Sequence, residues 1–303
     1  MLDIRRLQML LAVHEQGSLT AAARTLHLTP SAISQQIATL EQEIGKPLTH
    51  KIGRNSQLTP EGKILIEGAR NILREIDATT TRLAQLSGEA QGTVKLAIFQ
   101  SAAIAFLPQT LAYLAQHHPL IDLHVDHIDP ETGLELTRSR NVDLVIAESY
   151  PHHSIPAHAE LDQQLLTTDP LHLAVPAYSN ILSLPHAAHL PWVLEGTHNT
   201  SRTWAINQCR AAGFEPSIRF NVEDLTMHLR LVAESEAAAI LPSLITSASN
   251  TTGIRLVELP GNPQRNIFTA ARKDSKDQPG IIAVRNALAH AAYQLTTNSQ
   301  KKP

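Results

Sequence analysis

The chain has 303 residues, of which 43% are hydrophobic, enough for two or three domains with real cores. Its formal net charge of −3 excludes an indiscriminate polycation, and a single cysteine, Cys209, excludes an intramolecular disulfide and argues against a two-cysteine redox switch. With no apolar signal core at the start, no apolar run of roughly eighteen residues and no lipid-anchor motif, the expectation is a soluble cytoplasmic protein without a membrane partner.

Residues 18–37 read as two short helices joined by a tight turn. The first starts at a Ser18 or Thr20 cap and runs through Ala21-Ala22-Ala23, whose small side chains let a crossing helix approach closely. The second opens Thr29-Pro30, a capping hydroxyl followed by proline at the first helical position. Along it Ile33, Ile37, Leu40 and Ile44 form one apolar stripe at alternating spacings of four and three. The opposite face, Ser31, Ser34, Gln35, Ala38 and Gln42, is short, polar and nearly uncharged, which suits a DNA major groove. Gln pairs bidentately with adenine, Ser bonds base edges or phosphate, and the helix start favours phosphate. The bland reading of the same pattern is a small helical bundle with a Ser/Gln surface.

Residues 45–58 carry turn residues, two cations and flanking leucines, as a β-hairpin wing would. In such a wing Lys51 and Arg54 hold phosphates or enter the minor groove, whereas the alternative is a charged exposed turn. Residues 1–58 hold six Lys/Arg against four Asp/Glu, while the remainder holds nineteen against twenty-four, so the basic bias sits with the segment that would meet DNA.

Thr59-Pro60-Glu61 then supplies a cap, a proline at the first helical position and an acidic first turn. Leu65, Ala69, Ile72, Ile76, Thr79, Leu83 and Leu86 follow at alternating spacings of four and three, the signature of a two-stranded coiled-coil seam ending near Ser87-Gly88. A single helix packed on its own chain is the alternative. Two paired reading heads imply a pseudo-palindromic target in double-stranded DNA.

From Gly92 onward strands and helices alternate. Residues 93–99, 121–128 and 142–146 are strand-like and 102–116 helical, predicting an α/β sheet with parallel crossovers. A second series, strands at 192–194, 218–222 and 238–241 with helices near 201–212 and 225–233, suggests a second lobe. Segments 171–176 and 254–259 lie where the chain would cross between lobes, and 267–271 with a helix over 281–295 would complete the first. Ligands of open α/β lobes bind at carboxyl ends of strands, near helix starts and in the cleft between lobes. That rule selects Gln100, Ser101, Asp129, Glu148, Thr197, Asn199, Thr200 and Asn221 as candidate effector contacts, with Ser101 and Thr200 foremost. The two acidic positions, Asp129 and Glu148, suit a cationic group such as an amine.

Enzyme chemistry has no comparable support. His117-His118 and His152-His153 are adjacent pairs without zinc-site spacing, and no Walker A loop, glycine fingerprint or nucleophile elbow occurs, so no catalytic residue, metal ligand or cofactor is expected.

Residues 1–60 resemble the winged helix-turn-helix of LysR-type transcriptional regulators. The likeness rests on Leu7, Gly17-Ser18, Ala21-Ala22-Ala23, Leu28, the run from Pro30 to Ile37, Leu40-Glu41, Gly45, Leu48, Arg54 and Leu58-Thr59-Pro60-Glu61-Gly62. Where that family usually carries Phe and Arg in the wing, this chain has Thr49 and Lys51. The remainder resembles, more loosely, the family's periplasmic-binding-protein-like effector domain through Leu107-Pro108, His118-Pro119 and Ile240-Leu241-Pro242, with Ser235-Glu236-Ala237 in place of a glycine-rich turn.

The expected architecture is therefore α+β and multidomain: a winged helix-turn-helix over 1–58, a long coiled-coil linker helix over 59–88 and a two-lobed α/β domain over 92–303. Lobe I covers about 92–165 and 266–297, and lobe II about 166–260. The resemblance implies a homodimer or homotetramer whose DNA contacts, from Thr29, Pro30, Ser31, Ser34, Gln35, Lys51 and Arg54, respond to a small-molecule effector. An effector-independent architectural DNA-binding protein and an enzyme with a DNA-binding appendage are the alternatives.

Overall fold

A computed structural model describes residues 2–26, 28–52, 55–87, 90–152, 158–234 and 237–299. The head consists of α1 (Ile4–Gln16), α2 (Leu19–Thr25), α3 (Pro30–Ile44) and the antiparallel hairpin β1 (Thr49–Ile52) and β2 (Asn55–Leu58). Each helix starts where a short polar side chain satisfies its first N–H groups. Asp3 accepts from the amides of Arg5 and Arg6, Ser18 from Ala21 and Thr29 from Ala32. Helices α1 and α3 end at Gly17 and Gly45, whose φ of 69° and 74° lie in the left-handed region that glycine enters without a Cβ clash.

Ile33, Ile37 and Leu40 pack with Leu7, Leu10, Leu11, Ala22 and Ala23 into the head's core, and the fully buried Leu48 anchors the hairpin to it. Glu41 accepts from the amides of Leu48 and Thr49 at 2.8 and 3.1 Å, fixing the hairpin to α3 by a polar tie where a larger apolar side chain is absent. Arg6 pairs with Gln36 and Glu43, holding α1 against the inner flank of α3.

Helix α4 (Pro60–Ser87) begins at Thr59, whose hydroxyl accepts from the Gly62 amide. It has two apolar sides. Ile66, Ala69 and Leu73 are buried in the head's core, with Leu65 packed beside them. Ile72, Ile76 and Leu83 are 40%, 38% and 63% exposed. The expected seam is thereby corrected at its start: Leu65 and Ala69 serve the head of their own chain, and the exposed apolar side includes Ile64, 73% exposed, as well as Ile72, Ile76 and Leu83. The Leu86 side chain lies outside the described residues.

The C-terminal part is built on a mixed sheet of order β10-β6-β11-β5-β3-β4, with β9 also on β6. Strand β3 (Gly92–Ile98) lies parallel to β4 (Ile121–His127) and β5 (Leu144–Ser149), as the crossovers through α5 (Gln100–His117) and α6 (Pro130–Arg138) require. Beyond these crossovers the sheet is mixed. Strand β11 (Gln264–Arg272) returns antiparallel to both β5 and β6 (Leu161–Pro176).

Strand β6 is sixteen residues long and belongs to both lobes: its first part pairs with β11 as far as Pro170, and from Leu171 it pairs with β9 (Ala239–Pro242) and β10 (Ile254–Glu258). The passage between lobes thus falls within one strand, near Pro170, whose missing N–H suits a change of partner. The second lobe adds the parallel pair β7 (Pro191–Leu194) and β8 (Ser217–Asn221), with α7 (Thr200–Ala211), α8 (Leu225–Glu234) and the short α9 (Ser243–Ala248). Helix α10 (Pro279–Ser299) comes back to pack on α5 and β3.

Candidate functional site

The exposed face of α3 presents Ser31, Ser34 and Gln35, preceded by Thr29 and Pro30, all on the surface. The Thr29 hydroxyl lies 3.0 Å from that of Ser31, and the Thr39 hydroxyl bonds back to the Gln35 carbonyl. Because Gln36 and Glu43 are turned to Arg6, the outer face carries hydroxyls and amides, which can read base edges, and no acidic group in its first two turns. Lys51 sits in β1, but its side chain lies outside the described residues, as does Arg54 altogether.

A cavity of about 300 Å³ opens between the lobes. Six of the eight expected effector contacts line it: Gln100, Ser101, Asp129, Glu148, Asn199 and Thr200. Thr197 is exposed outside it, and Asn221 accepts a hydrogen bond from Arg202 at 2.6 Å away from its lining. Thr197 falls between Glu195 and Asn199, both of which line the cavity, and Asn221 ends β8 two residues before Glu223, which does too.

Buried at the cavity floor is Arg265 of β11, 2% exposed. Its guanidinium donates to Asp169 at 2.7 and 2.9 Å, to the Ser101 hydroxyl at 2.7 Å and to Glu148, and lies 5.3 Å from the Phe99 ring centre. Burial would lower its pKa, but Glu148 and Asp169 outweigh that and hold it charged. The second oxygen of Glu148 accepts from the Tyr150 hydroxyl at 3.1 Å, and Asp169 also accepts from the Leu244 amide. Arg265 therefore joins strands of the first lobe to the start of α9.

Two further ties cross the cleft. Gln100 donates to Asp224 at 2.7 Å and accepts from the Leu225 amide at 2.8 Å, so a first-lobe side chain completes the start of α8. Hydrogen bonds from Thr226 and Gln100 hold the Asp224 carboxyl down at about 2. The Thr200 hydroxyl donates across to Glu131.

Residues the sequence reading passed over complete the lining. Glu195, just beyond β7, accepts from the Ser201 hydroxyl, and burial pushes its carboxyl up to about 7, against the hydrogen bond that would lower it. Glu223 accepts from Asn199 at 2.7 Å. Tyr150 and Trp204 stack at 5.5 Å between ring centres, and the buried indole N–H of Trp204 has no hydrogen-bond partner. The strand-end rule that selected Thr197 would have reached Glu195 two residues earlier. Arg265 had no local signal, since it arrives from the far end of the chain.

Sequence comparison decides what carries these two sites. A profile described as bacterial regulatory helix-turn-helix protein, lysR family, matches residues 4–63, and one described as LysR substrate binding domain matches residues 87–292. The chain belongs to the LysR family of transcriptional regulators. This LysR-type regulator is 27% identical over 265 residues to the transcriptional dual regulator GltC of Bacillus subtilis, covering 86% of each chain. It is 26% identical to the HTH-type transcriptional regulator MetR of Escherichia coli, covering 97% of this chain and 92% of that one. Among solved structures, a full-length OxyR variant from Pseudomonas aeruginosa superposes with a TM-score of 0.65 at 16% identity, covering 95% of both chains, which supports the fold. Full-length CbnR in complex with its target DNA superposes at 0.54 with 24% identity, covering 96% of this chain and all of that one.

The family is one of regulators and not of enzymes. In this LysR-type regulator Cys209 is buried and its thiol is pushed up to about 12 by burial, far from a reactive thiolate. Among the described residues no helix is long and apolar enough to cross a membrane.

Proposed function

We propose that this LysR-type regulator works in the cytoplasm as a homodimer or homotetramer on a pseudo-palindromic duplex site, and that a small molecule in the inter-lobe cavity switches it. Thr29, Pro30, Ser31, Ser34 and Gln35 enter the major groove, while Lys51 and Arg54 of the wing serve phosphate or the minor groove. The exposed Ile72, Ile76 and Leu83 of α4 pair with the same residues of a second copy, which places two heads about a dyad. No metal or redox cofactor enters the scheme.

The observation that carries the switch is that the cavity wall and the ties between lobes are made by the same side chains. Gln100 and Thr200 line the cavity and also bridge the cleft to Asp224 and Glu131. A ligand that engages them alters the balance of open and closed cleft, and a difference in affinity between the two worth about 1–3 kcal/mol suffices for regulation.

The direct test is selection of bound sequences from a random duplex library by the purified protein, followed by quantitative binding. A dyad-symmetric winner is expected, with Gln35→Ala costing about 1–3 kcal/mol and relaxing preference at one base position. Absence of any enriched motif, with affinity governed by salt alone, would favour an architectural DNA-binding protein instead.

A further inference from the structure

Resting on that reading of the cavity, we propose that its ligand is a small organic cation whose ammonium or guanidinium group is taken by Glu195, with Glu131 and Glu223 on either side. The charge of the lining is lopsided: Asp129, Glu131, Glu148, Glu195 and Glu223 contribute carboxylates, against the one guanidinium of Arg265. That guanidinium is already occupied by Glu148, Asp169 and Ser101, so among the described lining residues no arginine or lysine remains to meet an anion. Glu148 is equally committed, to Arg265 and Tyr150, whereas the Asp129 carboxylate, among the described residues, accepts only from the Thr132 amide. Of the pair expected to meet an amine, Glu148 is thus already ion-paired within the protein, while Asp129 is not.

Glu131, Glu195 and Glu223 differ from Glu148. Each accepts from a neutral donor, Thr200, Ser201 and Asn199 respectively, which orients the carboxylate without forming an ion pair. The three bring like charge to one cleft, Glu195 partly buried and Glu131 and Glu223 exposed, and a cation among them is attracted by all three. The raised proton affinity of Glu195, caused first by burial and then by Glu148 and Glu223, reflects the same demand for positive charge.

The remaining wall fits such a ligand. Tyr150 and Trp204 bring ring surface to the cavity, and aromatic faces attract desolvated cations. The starts of α5 and α7, neither of which has a side-chain cap, offer backbone N–H groups to an acceptor on the ligand. A hydroxyl, carbonyl or carboxylate beside the cationic nitrogen is such an acceptor, which places amino acids with basic side chains, guanidines and short amines within the class. A dianion without such a nitrogen lies outside it. At about 300 Å³ the cavity is at the small end for ligand sites.

Calorimetry on the full-length protein at about pH 8 tests this, using arginine, lysine, agmatine and putrescine as probes, with succinate and butanediol as the anionic and neutral counterparts. At least one cationic probe is expected to bind, with Glu195→Gln weakening it about thirtyfold or more and Glu258→Gln, on the exposed edge of β10, leaving it unchanged. Glu223→Gln is a second variant with a smaller expected loss, useful if Glu195→Gln proves unstable. Binding of succinate alone, abolished by Thr200→Ala, would overturn the cationic class while leaving the cavity as the effector site. Cation binding indifferent to Glu195→Gln, Glu223→Gln and Thr200→Ala alike would overturn both the class and the site.

Discussion

Replacing Glu195 by glutamine should change how stability depends on pH, in a direction that follows from burial. The carboxyl is raised from an ordinary 4.5 to about 7 in the folded protein. A folded-state pKa above the unfolded value gives stability that is fully present below about 4.5 and lost as pH rises through about 7, because the folded form must surrender a proton it holds better. At about 1.4 kcal/mol per unit the full loss is about 3 kcal/mol, of which about 2 kcal/mol falls between roughly pH 5.5 and 8. Glutamine keeps the shape and the contact with Ser201 but does not titrate. The stability of Glu195→Gln relative to the parent should therefore rise by about 2 kcal/mol across that interval, while contributions from Glu148, Glu223 and Arg265 largely cancel in the difference. Urea unfolding followed by tryptophan fluorescence reads this well, since the chain's two tryptophans, Trp192 and Trp204, both lie in the second lobe's core. A difference that stays flat from pH 5.5 to 8 would refute the claim that burial makes the charge on Glu195 costly.

Three other outcomes follow from the packing. Arg265→Met leaves Glu148 and Asp169 buried without their cation and should cost about 3–5 kcal/mol in chemical denaturation; a loss under about 1 kcal/mol would mean that the guanidinium does not hold the lobes' junction together. Gly62→Ala would put a methyl group 2.1 Å from the Leu48 carbonyl oxygen, so the head should lose more than the roughly 1 kcal/mol that alanine gains in a helix, seen as a lowered melting temperature and weaker DNA binding. Ile72→Glu combined with Ile76→Glu should yield a folded monomer in analytical ultracentrifugation, and an unchanged oligomer would place the self-association surface elsewhere.

The head was readable because its determinants are local. Caps at Ser18, Thr29 and Thr59, the stripe of Ile33, Ile37 and Leu40, and the two left-handed glycines each act within a few residues. The first half of β6 was not anticipated, because Asp162-Gln163-Gln164 and Thr167-Thr168 lack the apolar alternation of a half-buried strand; they pair with β11, and Gln163, Gln164 and Thr168 are exposed. The start of the seam was misassigned since spacings of four and three cannot say which of two neighbours a helix faces. In the cavity, strand ends marked six liners, whereas Arg265 and its hold on Ser101, Glu148 and Asp169 depend on four segments distant in sequence meeting at one point.

The two apolar sides of α4 impose a fixed phase. Leu65, Ile66, Ala69 and Leu73 key into the head, while Ile64, Ile72, Ile76 and Leu83 are exposed on the other side, and successive residues of a helix are turned by about 100° and advanced by about 1.5 Å. In the dimer proposed above, one rigid rod sets the azimuth of each head through the angle between these two sides of the helix. A single residue inserted after Leu73 would swing Ile76 and Leu83 by about 100° relative to Ile72 and the head, leaving both halves of the helix intact but out of step.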